Sequence, residues 1–281
     1  MLLVAFLLAY AGFAASFNDF GSPLGTSKTD LKVERAFNAQ LAAIPGKPRI
    51  PHTVQALQYN ISVHPYFPAP GVSYPDEKNF TFDGHLRFHF KALQKLDFIQ
   101  LDAQNIDLDY INIFDSSGAK MRFGYADYDS KFLRYSIAPV VGFDANREYV
   151  VEMIYRGKIN KYTDAGLFYT SFIDVDGGLH YIVATHMENG FGAKSVFPCI
   201  DDPSFKAHFQ ITLAYPAKGY VPLSNTLEYY GSSIGNGYNQ VRFPKTLLMS
   251  TYLVAFSTGE FVSKAAYTPD NVSRISGSGI P

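Results

Sequence analysis

The 281-residue sequence has no tryptophan and a single cysteine, Cys199. One thiol excludes an internal disulfide framework, and Cys199 is expected to serve as a small buried apolar side chain. Charge is scarce as well: charged residues make up 17% of the chain and the formal net charge is −1. No run of Lys and Arg of the kind that tracks a phosphate backbone is present, so neither nucleic acid nor an anionic membrane surface is an expected partner. Metal chemistry lacks its usual signature. None of the seven histidines, at 52, 64, 85, 89, 180, 186 and 208, begins the zinc-helix pattern His-Glu-x-x-His. Helical periodicity is absent over any long window, which argues against an α or α/β fold.

Aromatics are plentiful, with 24 Phe and 20 Tyr spread over many short segments, and that distribution favours sheets. Leu57, Tyr59, Ile61 and Val63 alternate as one face of a strand, and Phe80, Phe82, Gly84, Leu86, Phe88 and Phe90 do so again. Further strands are predicted over 98–101, 108–114, 132–137 and 149–155, with a tight turn at Asp115-Ser116-Ser117-Gly118. The polar side of the second strand carries His85, Arg87 and His89. On a strand His85 and His89 stand roughly 13 Å apart, too far to share one ion, so both are expected to face solvent.

Residues 1–15 form an apolar run ending in small residues, which reads as a secretory signal peptide; retained uncleaved, it would be a membrane anchor. Residues 16–48 read as a poorly ordered linker. Three Asn-x-Ser/Thr triplets, at Asn60, Asn79 and Asn271, fit the same export route as glycosylation sites, placing the product outside the cell or on the outer face of the plasma membrane.

Chemistry concentrates in residues 183–209, where Glu188 lies beside His186, Pro198 and Pro203 fix two corners, and Asp201 and Asp202 are placed to cap turns. The run Phe197-Pro198-Cys199-Ile200-Asp201-Asp202-Pro203-Ser204-Phe205-Lys206-Ala207-His208-Phe209 resembles the Phe-Pro-Cys-Phe-Asp-Glu-Pro-x-Phe-Lys-Ala-x-Phe segment of zinc aminopeptidases related to aminopeptidase N. Four more segments are similar to that family in order and spacing: the opening strand from Arg49, Gly166-Leu167-Phe168-Tyr169-Thr170-Ser171, Pro222-Leu223-Ser224-Asn225, and Met249-Ser250-Thr251-Tyr252-Leu253-Val254-Ala255-Phe256, the last expected as a strand.

The resemblance implies an all-β, saddle-like multi-sheet β-sandwich over residues 49–263, with 264–281 as a linker toward a catalytic domain that this chain lacks. It implies no cofactor in this chain, since the family's zinc is held by His-Glu-x-x-His and a distant Glu in the catalytic domain. The family's Gly-x-Met-Glu-Asn segment is missing as well, so the chain alone is not expected to hydrolyse peptides. What remains is recognition. The position of Glu188 implies a carboxylate that binds the free α-amine of a peptide substrate; His186, where the family carries Gln, either reshapes the first subsite or packs as a hydrogen-bonded histidine at the strand end. Phe191, Phe197 and Ile200 are expected to keep the neighbouring surface apolar for a catalytic domain. The competing expectation is a stand-alone secreted β module that binds peptides or protein partners; an unrelated carbohydrate-binding sandwich is a third, and it lacks a Trp platform.

Overall fold

In the computed structural model, residues 49–161, 165–188, 192–227, 231–262, 264–267 and 273–276 are described, the last two segments as backbone only. Among them are seventeen strands, numbered in chain order, and three one-turn 3₁₀ helices at Asp76–Lys78, Ala193–Ser195 and Thr251–Leu253. The largest sheet runs β13 (Ser232–Gly235), β14 (Tyr238–Arg242), β11 (His208–Pro216), β1 (Val54–Tyr66), β2 (Thr81–Ala92), β7 (Glu148–Lys158), β4 (Ile106–Asp115). A second runs β12 (Val221–Ser224), β15 (Phe256–Gly259), β10 (Leu179–His186), β9 (Gly166–Ile173), β8 (Asn160–Lys161). A third joins β3 (Ile99–Asp102), β6 (Arg134–Pro139) and β5 (Phe123–Asp129). These sheets belong to one compact unit, Ile44–Gly259. The hairpin of β16 (Lys264–Tyr267) and β17 (Ser273–Ser276) belongs to the remainder of the chain. The all-β, multi-sheet class expected from aromatic alternation is what the chain adopts.

Period-2 patterning sets the core. Along β2 the apolar side, Phe82, Leu86, Phe88 and Phe90, is fully buried, and β1 contributes Tyr59, Ile61 and Val63 to the same core. Two expected residues stand elsewhere. Leu57 is the extra residue of a bulge, because the register with β2 shifts between Ala56 and Gln58; a bulge turns the strand's facing by one residue, so Val54 and Ala56 are buried upstream of it. Phe80 precedes β2 with φ 56° and stacks on Tyr169 at 4.1 Å. Gly84 and Gly157 are required by packing. In the β2–β7 register Gly84 faces Tyr155 and Phe82 faces Gly157. A Cβ at Gly84 would lie 2.2 Å from the Tyr155 ring, and one at Gly157 would lie 2.5 Å from the Phe82 ring. Each ring fills the space its opposite residue leaves empty.

Two segments depart from the strand pattern read in the sequence. Met249–Phe256 is not one strand: Thr251–Leu253 forms a 3₁₀ turn closed by Val254 N–H donating to Thr251 C=O, and β15 starts only at Phe256. The Ser250 hydroxyl causes the break by donating to the Pro203 carbonyl and accepting from Lys206 Nζ, which ties the segment to the central stretch. The polar side of β2 is only in part the free solvent face expected, although the His85 and Arg87 side chains are 43% and 42% exposed. His85 and Arg87 both reach Glu152 Oε1 at 3.2 Å, and His89 Nε2 lies 3.2 Å from Asn60 Nδ2. Neighbouring strands in a wide sheet supply partners that a lone strand would take from water.

Burial, opposed by Asp83 and aided by Lys78, lowers the His64 pKa to about 4. Burial and then Arg87 lower that of His89. Both imidazoles are therefore neutral in the folded state at pH values where the unfolded chain protonates them. Stability is expected to be constant above the ordinary value of 6.5 and to fall as pH drops from 6.5 toward 4. Urea midpoints at pH 7.5, 5.5 and 4.5 measure this, and His64→Gln is expected to flatten part of the decline.

Candidate functional site

The end of β10 brings Glu188 and His186 together. β10 pairs with β9 from Leu179↔Ile173 to His186↔Gly166, and with β15 at Val183↔Thr258 and Ala184↔Ser257. Thr185 extends the second junction through its hydroxyl, which donates to Phe256 C=O and accepts from Phe256 N–H. Extended backbone then places His186 and Glu188 on one side and Met187, 3% exposed, on the other. His186 Nε2 donates to Glu188 Oε2 at 3.1 Å, and the two side chains are 42% and 74% exposed.

The backbone beneath this pair is held by close approach. Gly192 N–H donates to Glu188 C=O at 3.0 Å. A Cβ on Gly192 would stand 2.3 Å from the His186 carbonyl oxygen and 2.4 Å from Met187 Cα. Gly166, at φ 90°, faces Ser195, whose hydroxyl donates to Gly192 C=O at 2.8 Å. Only glycine allows β9, β10 and the turn to meet this closely.

After that turn the chain enters the core. Phe197, Cys199 and Ile200 are 0%, 0% and 1% exposed, which corrects the expectation that Phe197 and Ile200 present an apolar surface; Phe191 lies outside the described residues. Cys199 is the buried small residue it was expected to be. Asp102 and Cys199 exchange both backbone hydrogen bonds, at 2.7 and 3.0 Å. Asp102 also pairs with Arg134 at 2.9 Å, with side chains only 4% and 6% exposed. The Asp201 side chain is buried, 3% exposed, and lies 3.7 Å from Lys194 Nζ. Asp202 does cap, accepting from Ser204 N–H and Oγ and from the Arg49 guanidinium. Burial opposes its ionisation, but the hydrogen bonds from Arg49 and Ser204 hold its carboxyl at about 2.

A sequence profile of the Peptidase M1 N-terminal domain matches residues 55–253. The chain belongs to this family. It is 41% identical over 218 residues to "Putative aminopeptidase-2" of Caenorhabditis elegans, covering 77% of this chain and 11% of that protein. "Aminopeptidase N" of Haemonchus contortus is 25% identical over 214 residues, 75% of this chain and 22% of its own length. "Membrane alanyl aminopeptidase" of Manduca sexta is 28% identical over 222 residues, 76% of this chain and 22% of its own length. The chain thus spans between about a tenth and a quarter of these relatives.

In this M1 N-terminal domain, no three His, Cys, Asp or Glu side chains among the described residues are grouped so as to hold a metal. His186 and Glu188 supply two donors, fewer than the three protein ligands of a catalytic zinc, so they do not fit a zinc centre. The sequence was expected to hold no Gly-x-Ser-x-Gly nucleophile elbow, but Gly231-Ser232-Ser233-Ile234-Gly235 has that spelling. It folds as edge strand β13, exposed throughout, and not as the strand–turn–helix corner that spelling needs. Of the glycosylation triplets, Asn79 is exposed after the turn Asp76–Lys78. Asn60 sits mid-strand between β11 and β2 with its amide bonded to His89 and Gln58, and Asn271 lies outside the described residues. No helix among the described residues is long and apolar enough to cross a membrane.

The Asp102–Arg134 pair yields a direct test. Asp102→Ala removes the carboxylate that accepts from Arg134 Nε in an almost dry site and is expected to cost about 3–5 kcal/mol. Chemical denaturation of the variant against the parent chain measures it.

Proposed function

We propose that this chain is the substrate-amine-recognising N-terminal domain of a secreted or ectodomain zinc aminopeptidase, which removes N-terminal residues from peptides and is not catalytic through this domain alone. The reading rests on one observation above the others: a carboxylate, Glu188, stands 74% exposed at the end of a strand whose backbone is pinned by two glycines. A carboxylate so placed is the group to meet an α-ammonium, which it binds by a charge-assisted hydrogen bond. Fixing the amine also fixes the first peptide bond one residue away, so the contribution to catalysis is positioning. Zinc, held elsewhere in the parent enzyme, would supply an activated water. An extracellular setting is supported by the apolar leader, by the name of the Manduca sexta relative, a membrane alanyl aminopeptidase, and by Asn79, an exposed acceptor suited to a glycan.

The chain is expected to bind an unblocked tripeptide such as Leu-Gly-Gly in preference to its N-acetyl form. Because Glu188 is exposed, Glu188→Gln should weaken that binding by about two- to fivefold, the span of an open ion pair. Chemical-shift titration with both peptides measures it, and equal binding of both forms by the unaltered chain would refute the assignment.

A further inference from the structure

The bond between His186 and Glu188 carries the reading of Glu188 one step further and rests on that reading. We propose that His186 is a positioning residue: it holds the Glu188 carboxylate through one oxygen and leaves the other to receive the ammonium of an unblocked peptide.

The geometry supports each part. An ionised carboxylate only accepts, so in the 3.1 Å contact His186 Nε2 is the donor and Glu188 Oε2 the acceptor. Oε1 of Glu188 has no partner among the described residues, and the side chain is open to solvent. The donor is itself located. His186 is the last residue of β10, its backbone faces Gly166 across the sheet, and its carbonyl lies under Gly192 with no room for a Cβ between them. Burial of Met187 keeps the extended chain from rotating and so keeps both side chains on one side. A Glu free in solvent samples several rotamers, and a ligand that fixes it bears the ordering cost on binding. A hydrogen bond already made in the free domain removes part of that cost. The substrate class follows from the vacant oxygen: compounds with a primary α-ammonium, and not their acylated forms.

The test uses the full chain, Leu-Gly-Gly and N-acetyl-Leu-Gly-Gly, with His186→Ala, His186→Gln and Glu188→Gln. In His186→Ala the preference for the free amine is expected to fall by about two- to fivefold. His186→Gln retains an N–H donor and should restore most of it. A second readout needs no ligand: the Glu188 carboxyl carbon resonance should move in His186→Ala and return toward its position in His186→Gln. If Glu188→Gln removes the preference while His186→Ala keeps it, or increases it as removal of a competitor would, the positioning role is refuted and the reading of Glu188 stands. If Glu188→Gln leaves the preference intact, the reading of Glu188 fails and this inference fails with it.

Discussion

The clamp between Asp102 and the stretch around Cys199 is the constraint on which the rest depends. Two backbone hydrogen bonds join Asp102 to Cys199, and the Asp102 carboxylate takes both the Arg134 guanidinium and the Asp201 N–H. Next to it Lys194 meets Asp201, again almost without solvent. Buried charges of this kind add little net stability over an apolar replacement, but they tolerate no mispairing. Here they set the register between the small sheet's β3 and the segment that links β10 to β11.

The aromatic core accepts that segment at a second point. Tyr59 stacks with Phe88 at 4.5 Å and with Phe209 at 5.1 Å, and its hydroxyl accepts Ile200 N–H at 3.2 Å. Burial pushes this phenol well above its ordinary pKa, so it stays neutral and keeps its place as a polar group inside the core. With Phe197, Cys199 and Ile200 held there, the turn Ala193–Ser195 lies next to the end of β10, where Gly192 N–H donates to Glu188 C=O. Close glycine contacts at that turn leave His186 and Glu188 on the outside. Core and site are thus consecutive parts of one path.

Much of the fold was legible. Alternation of aromatics with polar residues located β1, β2, β3, β4, β6 and β7 within a few residues, because a half-buried strand imposes that period wherever it occurs. β5 escaped notice: Phe123–Asp129 is an edge strand exposed along nearly its whole length, so burial imposes no period on it. β13 and β14 escaped for a related reason, being a short hairpin at the other sheet's edge. Met249–Phe256 was misread because its apolar residues imitate a strand while a serine hydroxyl and a 3₁₀ turn divide it. Glu188 and His186 were legible as residue types at a spacing that an extended chain turns to one side.

By itself the sequence determined the all-β class, the membership of the family and the pairing of a carboxylate with an imidazole two residues apart, since all three are properties of local period and local spelling. Tertiary structure alone decided that Phe197 and Ile200 of the central stretch are core, that Asp201 is buried against Lys194 while Asp202 caps a turn, and that Gly84 and Gly157 admit the rings of Tyr155 and Phe82. The glycine packing and the Arg49 contact of Asp202 depend on partners tens of residues away in the chain, and Asp201 meets Lys194 only because the segment between them turns into the core, so no local pattern specifies which group will arrive.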